Sequence, residues 1–159
     1  MKQLVSAFIF TRLDCCNAVL YGLSQSNNSP FQRVQNAVVR VVFGLLLCDH
    51  VHPALKELHW LPVIHQIQYR VALLMFMVHS NHFPWYLSES IASVSSNPGR
   101  QCLRSATSSD YMVPQTRTKF GDRAFSVAGP KVWNSLPEFV RAASTSDSFK
   151  HKPVSLNQH

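Results

Sequence analysis

Acids are scarce in this sequence. Its 159 residues carry 8 Asp and Glu against 15 Lys and Arg, and no two acids are adjacent. Polymerases and many nucleases need carboxylates that converge on two metal ions, commonly from an adjacent acidic pair. Asp14, Asp49, Asp110, Asp122 and Asp147 stand alone and far apart, so neither activity is expected. Only five glycines occur, and none builds a phosphate-binding loop or a dinucleotide fingerprint. There is no G-x-S-x-G elbow and no serine with a histidine and an acid placed beside it. No enzymatic activity and no cofactor are expected.

Cysteine is equally uninformative. Cys15, Cys16, Cys48 and Cys102 lack the spacing of a disulfide framework, and a reducing compartment is the simpler reading. Cys48, His50 and His52, with His59 and His65 beyond them, come nearest to a metal site. They lack a paired-ligand spacing, and the expectation is a loop with one buried cysteine and two solvated imidazoles. Long apolar runs are missing too. VVFGLLLC and VALLMFMV fall far short of the roughly 20 residues that span a bilayer, so no membrane span is expected. The N-terminal LVSAFIF meets Arg12 and Asp14 at once and has no convincing cleavage site. An intracellular location, cytoplasmic or nuclear, is expected rather than secretion.

What remains is apolar and basic. Hydrophobic residues make up 46% and charged residues 14%, with a net charge of +7. The length suits about one domain. Low charge with many apolar groups suits a piece that packs against more protein, and the positive excess favours polyanionic partners. The excess is spread, but Arg100, Arg104, Arg117, Lys119, Arg123 and Lys131 outnumber Asp110 and Asp122 between residues 100 and 131.

Hydrophobic periodicity predicts a mainly α fold, a small helical bundle followed by a loop-rich basic tail of short helices. Leu4, Phe8, Leu13, Cys16 and Leu20 mark a first helix that ends at Gly22, with SQSNNS as a connection. Ser29 and Pro30 open a second, whose apolar face is Phe31, Val34, Val38, Val41 and Leu45. Arg33, Asn36 and Arg40 form a basic stripe on another face. Pro53 starts a short helix, Pro62 a long one with Val63, Ile67, Val71, Leu74 and Val78 on one face, and Pro84 another short one. Trp60 and Trp85 are expected as packing anchors. ASVSSNPGR reads as a linker, which divides the chain into a helical region (1–92), a linker (93–100), a basic and aromatic loop-rich region (101–150) and a disordered end (151–159). Short strands are expected around 101–119, and short helical turns after them, separated by Gly129-Pro130 and Pro137.

The candidate binding residues are cations. Arg33 and Arg40 on one helix, and Arg117, Lys119, Arg123 and Lys131 near Phe120 and Phe125, suit phosphate contacts, with rings available to stack on unpaired bases. Against stacking, Phe120, Phe125, Trp133 and Leu136 are expected to form a small aromatic core with the cations on its wet side.

Four blocks carry a resemblance: TRLDCCNAVLYGL (11–23), FQRVQNAVVRVVFG (31–44), LKELHWLPV (55–63) and KFGDRAFSVAGPKVWNSLP (119–137). In this order they resemble the C-terminal region of reverse-transcriptase proteins from LINE-type (non-long-terminal-repeat) retrotransposons. The resemblance covers roughly residues 4–150. Cys15 stands where that family usually has tyrosine, and HKPVSLNQH replaces its basic terminal helix. The resemblance implies a thumb-like helical region downstream of the palm, without the catalytic domain. It also implies nucleic-acid-facing parts at Arg33/Arg40 and Arg117–Arg123, and as partners RNA or DNA through backbone contacts and the reverse-transcriptase palm domain. The alternatives are a helical protein-interaction module and a translated transposon remnant without selected function.

Overall fold

The computed structural model describes residue 11 and residues 17–94 and 109–151. The chain is mainly α. Its helices are α1 (Gln25–Phe43), α2 (His52–Glu57), α3 (Val63–His79), α4 (Trp85–Glu89), α5 (Phe125–Ser135), α6 (Glu138–Arg141) and α7 (Ser146–His151). Two 3-10 turns, Asn17–Leu20 and Gly121–Arg123, accompany them. The chain divides into two compact units, Met1–Gln68 and Tyr69–His159, and the division falls within α3. Of the expected linker, Ser93 pairs with Tyr111 in an isolated antiparallel bridge and Val94 is buried, while 95–100 lie outside the described residues. That bridge is the only strand-like pairing among the described residues, and 101–108 lie outside them. Residues 4–10 and 12–16 of the expected first helix and the tail beyond 151 lie outside them as well.

In the first unit, α1 starts earlier than its sequence suggests. Ser24 is the extended residue before it, so SQSNNS forms its first turns and Pro30 lies inside it. Proline has no N–H, which leaves the Ser26 carbonyl without its helical donor. The lapse falls in the exposed N-terminal turns, where the carbonyl is open to solvent. The buried face also differs. Asn28, Gln35, Val38 and Val39 are buried, whereas Val34 and Val41 are exposed. The face is rotated by about one residue because amides occupy it. Arg40 accepts from the N–H of Leu45 as Gly44 turns left-handed (φ 65°), which ends the helix without Cβ strain.

α2 ends on the same device with a less suitable residue. His59 is left-handed (φ 56°), the Trp60 N–H donates to the Leu55 carbonyl and the His59 N–H to Lys56. This turn swings Trp60 against the cluster of Val39, Val51, Ala54 and Leu55, as expected of a packing anchor. The sequence H-W-L-P thus stops one helix, anchors the corner and starts the next.

In the second unit the latter half of α3 is apolar around most of its circumference, and Val71, Ala72, Met75, Phe76 and Val78 are buried. α5 runs unbroken through Gly129-Pro130, against the expectation of two separate turns. Pro130 is the sixth residue of its helix, as Pro30 is of α1. Burial of Val127, Ala128, Val132 and Trp133 along α5 outweighs the one lost hydrogen bond. Gly129 is there for space: a Cβ would lie 2.6 Å from Met75 Sδ. Phe76 stacks on Phe149 with centroids 4.7 Å apart, which fixes α7.

Candidate nucleic-acid interface

Loop 116–124 leads into α5, and its own hydrogen bonds decide where its ring and cations point. The Gly121 N–H donates to Thr118 Oγ1 (3.0 Å), and the Asp122 N–H to the Thr118 carbonyl (3.1 Å). Asp122 then accepts from the Thr116 hydroxyl and pairs with Lys131 of α5 at 3.5 Å. The Thr116 hydrogen bond, helped by the Lys131 charge, holds the Asp122 carboxyl below its usual range. The loop is therefore folded on itself and tied to the helix that follows.

This arrangement turns Phe120 outward. Its ring is 81% exposed, which overturns its expected place in an aromatic core. Trp133 and Leu136 are buried as expected, and Phe125 is half-buried. The Arg123 guanidinium carbon lies 5.9 Å from the Phe120 centroid, a cation–π distance. Arg117 and Lys119 are exposed, and neither pairs with an acid among the described residues. Lys131 is engaged by Asp122, which offsets part of its charge. Four of the six sequence-chosen cations thus share one loop–helix segment, with an open ring in its midst.

The other two lie on α1. Arg33 is exposed. Arg40 is half-buried, points a guanidinium N–H at the Leu47 carbonyl (3.5 Å) and buries its Nε without a partner. Its charge favours the C-terminal end of α1, so its first task is structural.

Sequence reasoning missed the amides of α1. Gln32 Oε1 accepts from the Val63 N–H (2.9 Å), a donor that the first turn of α3 leaves without a helical partner. Gln32 Nε2 donates to Gln35 Oε1 and to Asn36 Oδ1, both at 2.9 Å. Gln35, fully buried, donates to the Leu61 carbonyl at 2.8 Å. The available signal was polar residues recurring at 28, 32 and 35, a helical spacing on what became the buried face. Elsewhere, Asn134 exchanges two hydrogen bonds with the Tyr111 backbone (2.8 and 3.0 Å), and Trp133 Nε1 donates to the Ser109 carbonyl.

Two further expectations change. Cys48 is exposed rather than buried, and His50 and His52 after it are exposed too. The described residues hold no group of three or more His, Cys, Asp or Glu arranged for a metal ion. Trp85 is 76% exposed, not an anchor, and lies edge-on to the exposed Tyr86. Its helix is too short to offer it a packing face. No helix among the described residues is long and apolar enough to cross a membrane. No family model, curated protein or solved structure matches the chain.

Proposed function

We propose that this chain is a non-catalytic region that contacts single-stranded nucleic acid, of the kind found downstream of the palm in LINE-type reverse transcriptases. The observation that carries the reading is Phe120. An open aromatic ring among Arg117, Lys119 and Arg123 combines the two things that sequence-tolerant single-strand binding uses, a stacking surface and cations for the backbone. The net charge of +7 supports the same partner class. Sequence blocks in the order of that family supply the parentage of the proposal.

The test is binding of single-stranded RNA measured against salt. Affinity is expected to fall with a slope of roughly −0.7 per phosphate contacted. Arg117→Ala is expected to flatten that slope by about one contact. Phe120→Ala is expected to weaken binding by about 1–3 kcal/mol with the slope unchanged. No salt-sensitive binding at low ionic strength would sink the proposal.

A second reading rests on a separate observation. Leu46 and Leu47, with Leu47 91% exposed, follow α1 beside the exposed Val41. Such residues suit a protein contact, with the palm domain as the expected partner. Monodisperse monomer without binding of a hydrophobic dye would count against it.

A further inference from the structure

We infer that Lys131 and the Thr116 hydroxyl form a further phosphate subsite of this interface, which the Asp122 carboxylate occupies in the free protein. The inference rests on the nucleic-acid reading above and deepens it: one cation of the surface is held back, and an acid of the same loop holds it.

Two donors from different elements converge on a single oxygen. Asp122 Oδ1 accepts from the Thr116 hydroxyl and lies 3.5 Å from Lys131 Nζ. Lys131 stands on the exposed side of α5, between the buried Pro130 and Val132, so the packed helix sets where its side chain begins. The loop carries the carboxylate to it, because the Asp122 N–H is tied to the Thr118 carbonyl. A hydroxyl and an ammonium on one anionic oxygen are the donors that a backbone phosphate takes.

The subsite is open to a strand. The side chains of Lys131 and Asp122 are 45% and 50% exposed, and a surface ion pair of this kind is weak. The Thr116 hydrogen bond and the Lys131 charge lower the Asp122 pKa, so the carboxylate keeps its charge at neutral pH. It therefore cancels the cation beneath it and repels the phosphates that Arg117 and Lys119 attract. The surface binds with three of its four cations while the fourth is closed by an acid that imitates the ligand.

The test is fluorescence anisotropy of the full chain with labelled single-stranded oligouridylate across a salt series. Asp122→Asn keeps an oxygen for the Thr116 hydroxyl and removes the charge. It is expected to bind about fivefold or more tighter at low salt and to steepen the salt slope by roughly 0.7, which is one phosphate contact. Lys131→Ala is expected to cancel that gain in the Asp122→Asn background and to leave the slope of the parent unchanged. Asp147→Asn makes the same change in net charge and frees Lys150 from a comparable pair (3.3 Å) on α7, and it is expected to leave the slope unchanged. Phe120→Ala is expected to weaken binding equally with Asp or Asn at position 122, which reports that the loop still presents its ring. The subsite is overturned by an unchanged slope in Asp122→Asn, by a gain that survives Lys131→Ala or is matched by Asp147→Asn, or by an unequal loss on Phe120→Ala. Salt-sensitive binding by the parent under any of those results leaves the proposed function standing. Absence of salt-sensitive binding in both the parent and Asp122→Asn overturns both.

Discussion

The two units bury different chemistry. The buried polar residues among those described, Asn17, Asn28 and Gln35, all lie in the first unit. The second unit is closed by Trp133, Phe149, Leu136 and Val140, and it satisfies the Trp133 indole N–H with a backbone carbonyl. A core of the second kind gains from area removed from water and tolerates small errors of angle. One of the first kind depends on partners within hydrogen-bond reach, and each lapse leaves a costly orphan. The first unit has such lapses: neither amide atom of Asn17 has a partner, nor does Asn28 Oδ1. Natural proteins place such groups where a ligand or ordered water completes them.

Removing the centre of the apolar core should have the largest effect. Trp133→Ala is expected to cost about 3–5 kcal/mol of stability, read by denaturant unfolding, since the ring is fully buried. A cost below that range would mean that the second unit is not organised around this ring. Next comes the hub of the amide set. Gln32→Leu keeps the bulk but strands the Val63 N–H and Gln35 Oε1, and is expected to cost about 1–3 kcal/mol. If it stabilises instead, hydrophobic burial alone holds α1 against α3 in the first unit, and the contrast between the two units fails.

Smaller changes sharpen the contrast at the edges. His59→Gly relieves a left-handed residue at the end of α2 and is expected to stabilise by about 1 kcal/mol in a thermal melt. The smallest effect concerns pH. His79 donates or accepts at Tyr111 Oη (2.9 Å) and lies against Trp133, and burial, then the Arg141 charge, lowers its pKa below the usual 6.5. The folded state therefore takes up this proton less readily than the unfolded chain. Stability from this group is complete above about pH 6.5 and declines as pH falls through the lowered folded value. A His79→Gln protein should lose that part of the acid dependence when melted across pH 5 to 7.

Much of the helical layout was legible because its signals are local. Pro62 and Pro84 stand just before α3 and α4, Gly44 closes α1, and Val63, Ile67, Val71 and Val78 share the buried side of α3. The α1 face misled for a definite reason. Periodicity counts apolar residues, and the buried side of α1 carries Asn28 and Gln35 at helical spacing with the valines to one side. The interface was half legible: its cations were recognisable by charge, but the state of the ring among them was not.

By itself, then, the sequence determined the helical class, the places where most helices stop and the excess of cations, because propensity, capping and charge act within a few residues of chain. Only the tertiary structure decided which aromatics are used up by the core. Trp133 and Phe120 lie thirteen positions apart in one basic, aromatic stretch, yet one is sealed and the other 81% exposed. The physical reason is that burial depends on what distant elements bring. Met75, Val78 and Val140 are all buried in the unit whose core takes in Trp133, whereas Thr116, Thr118 and Asp122 fold the loop so that Phe120 faces solvent.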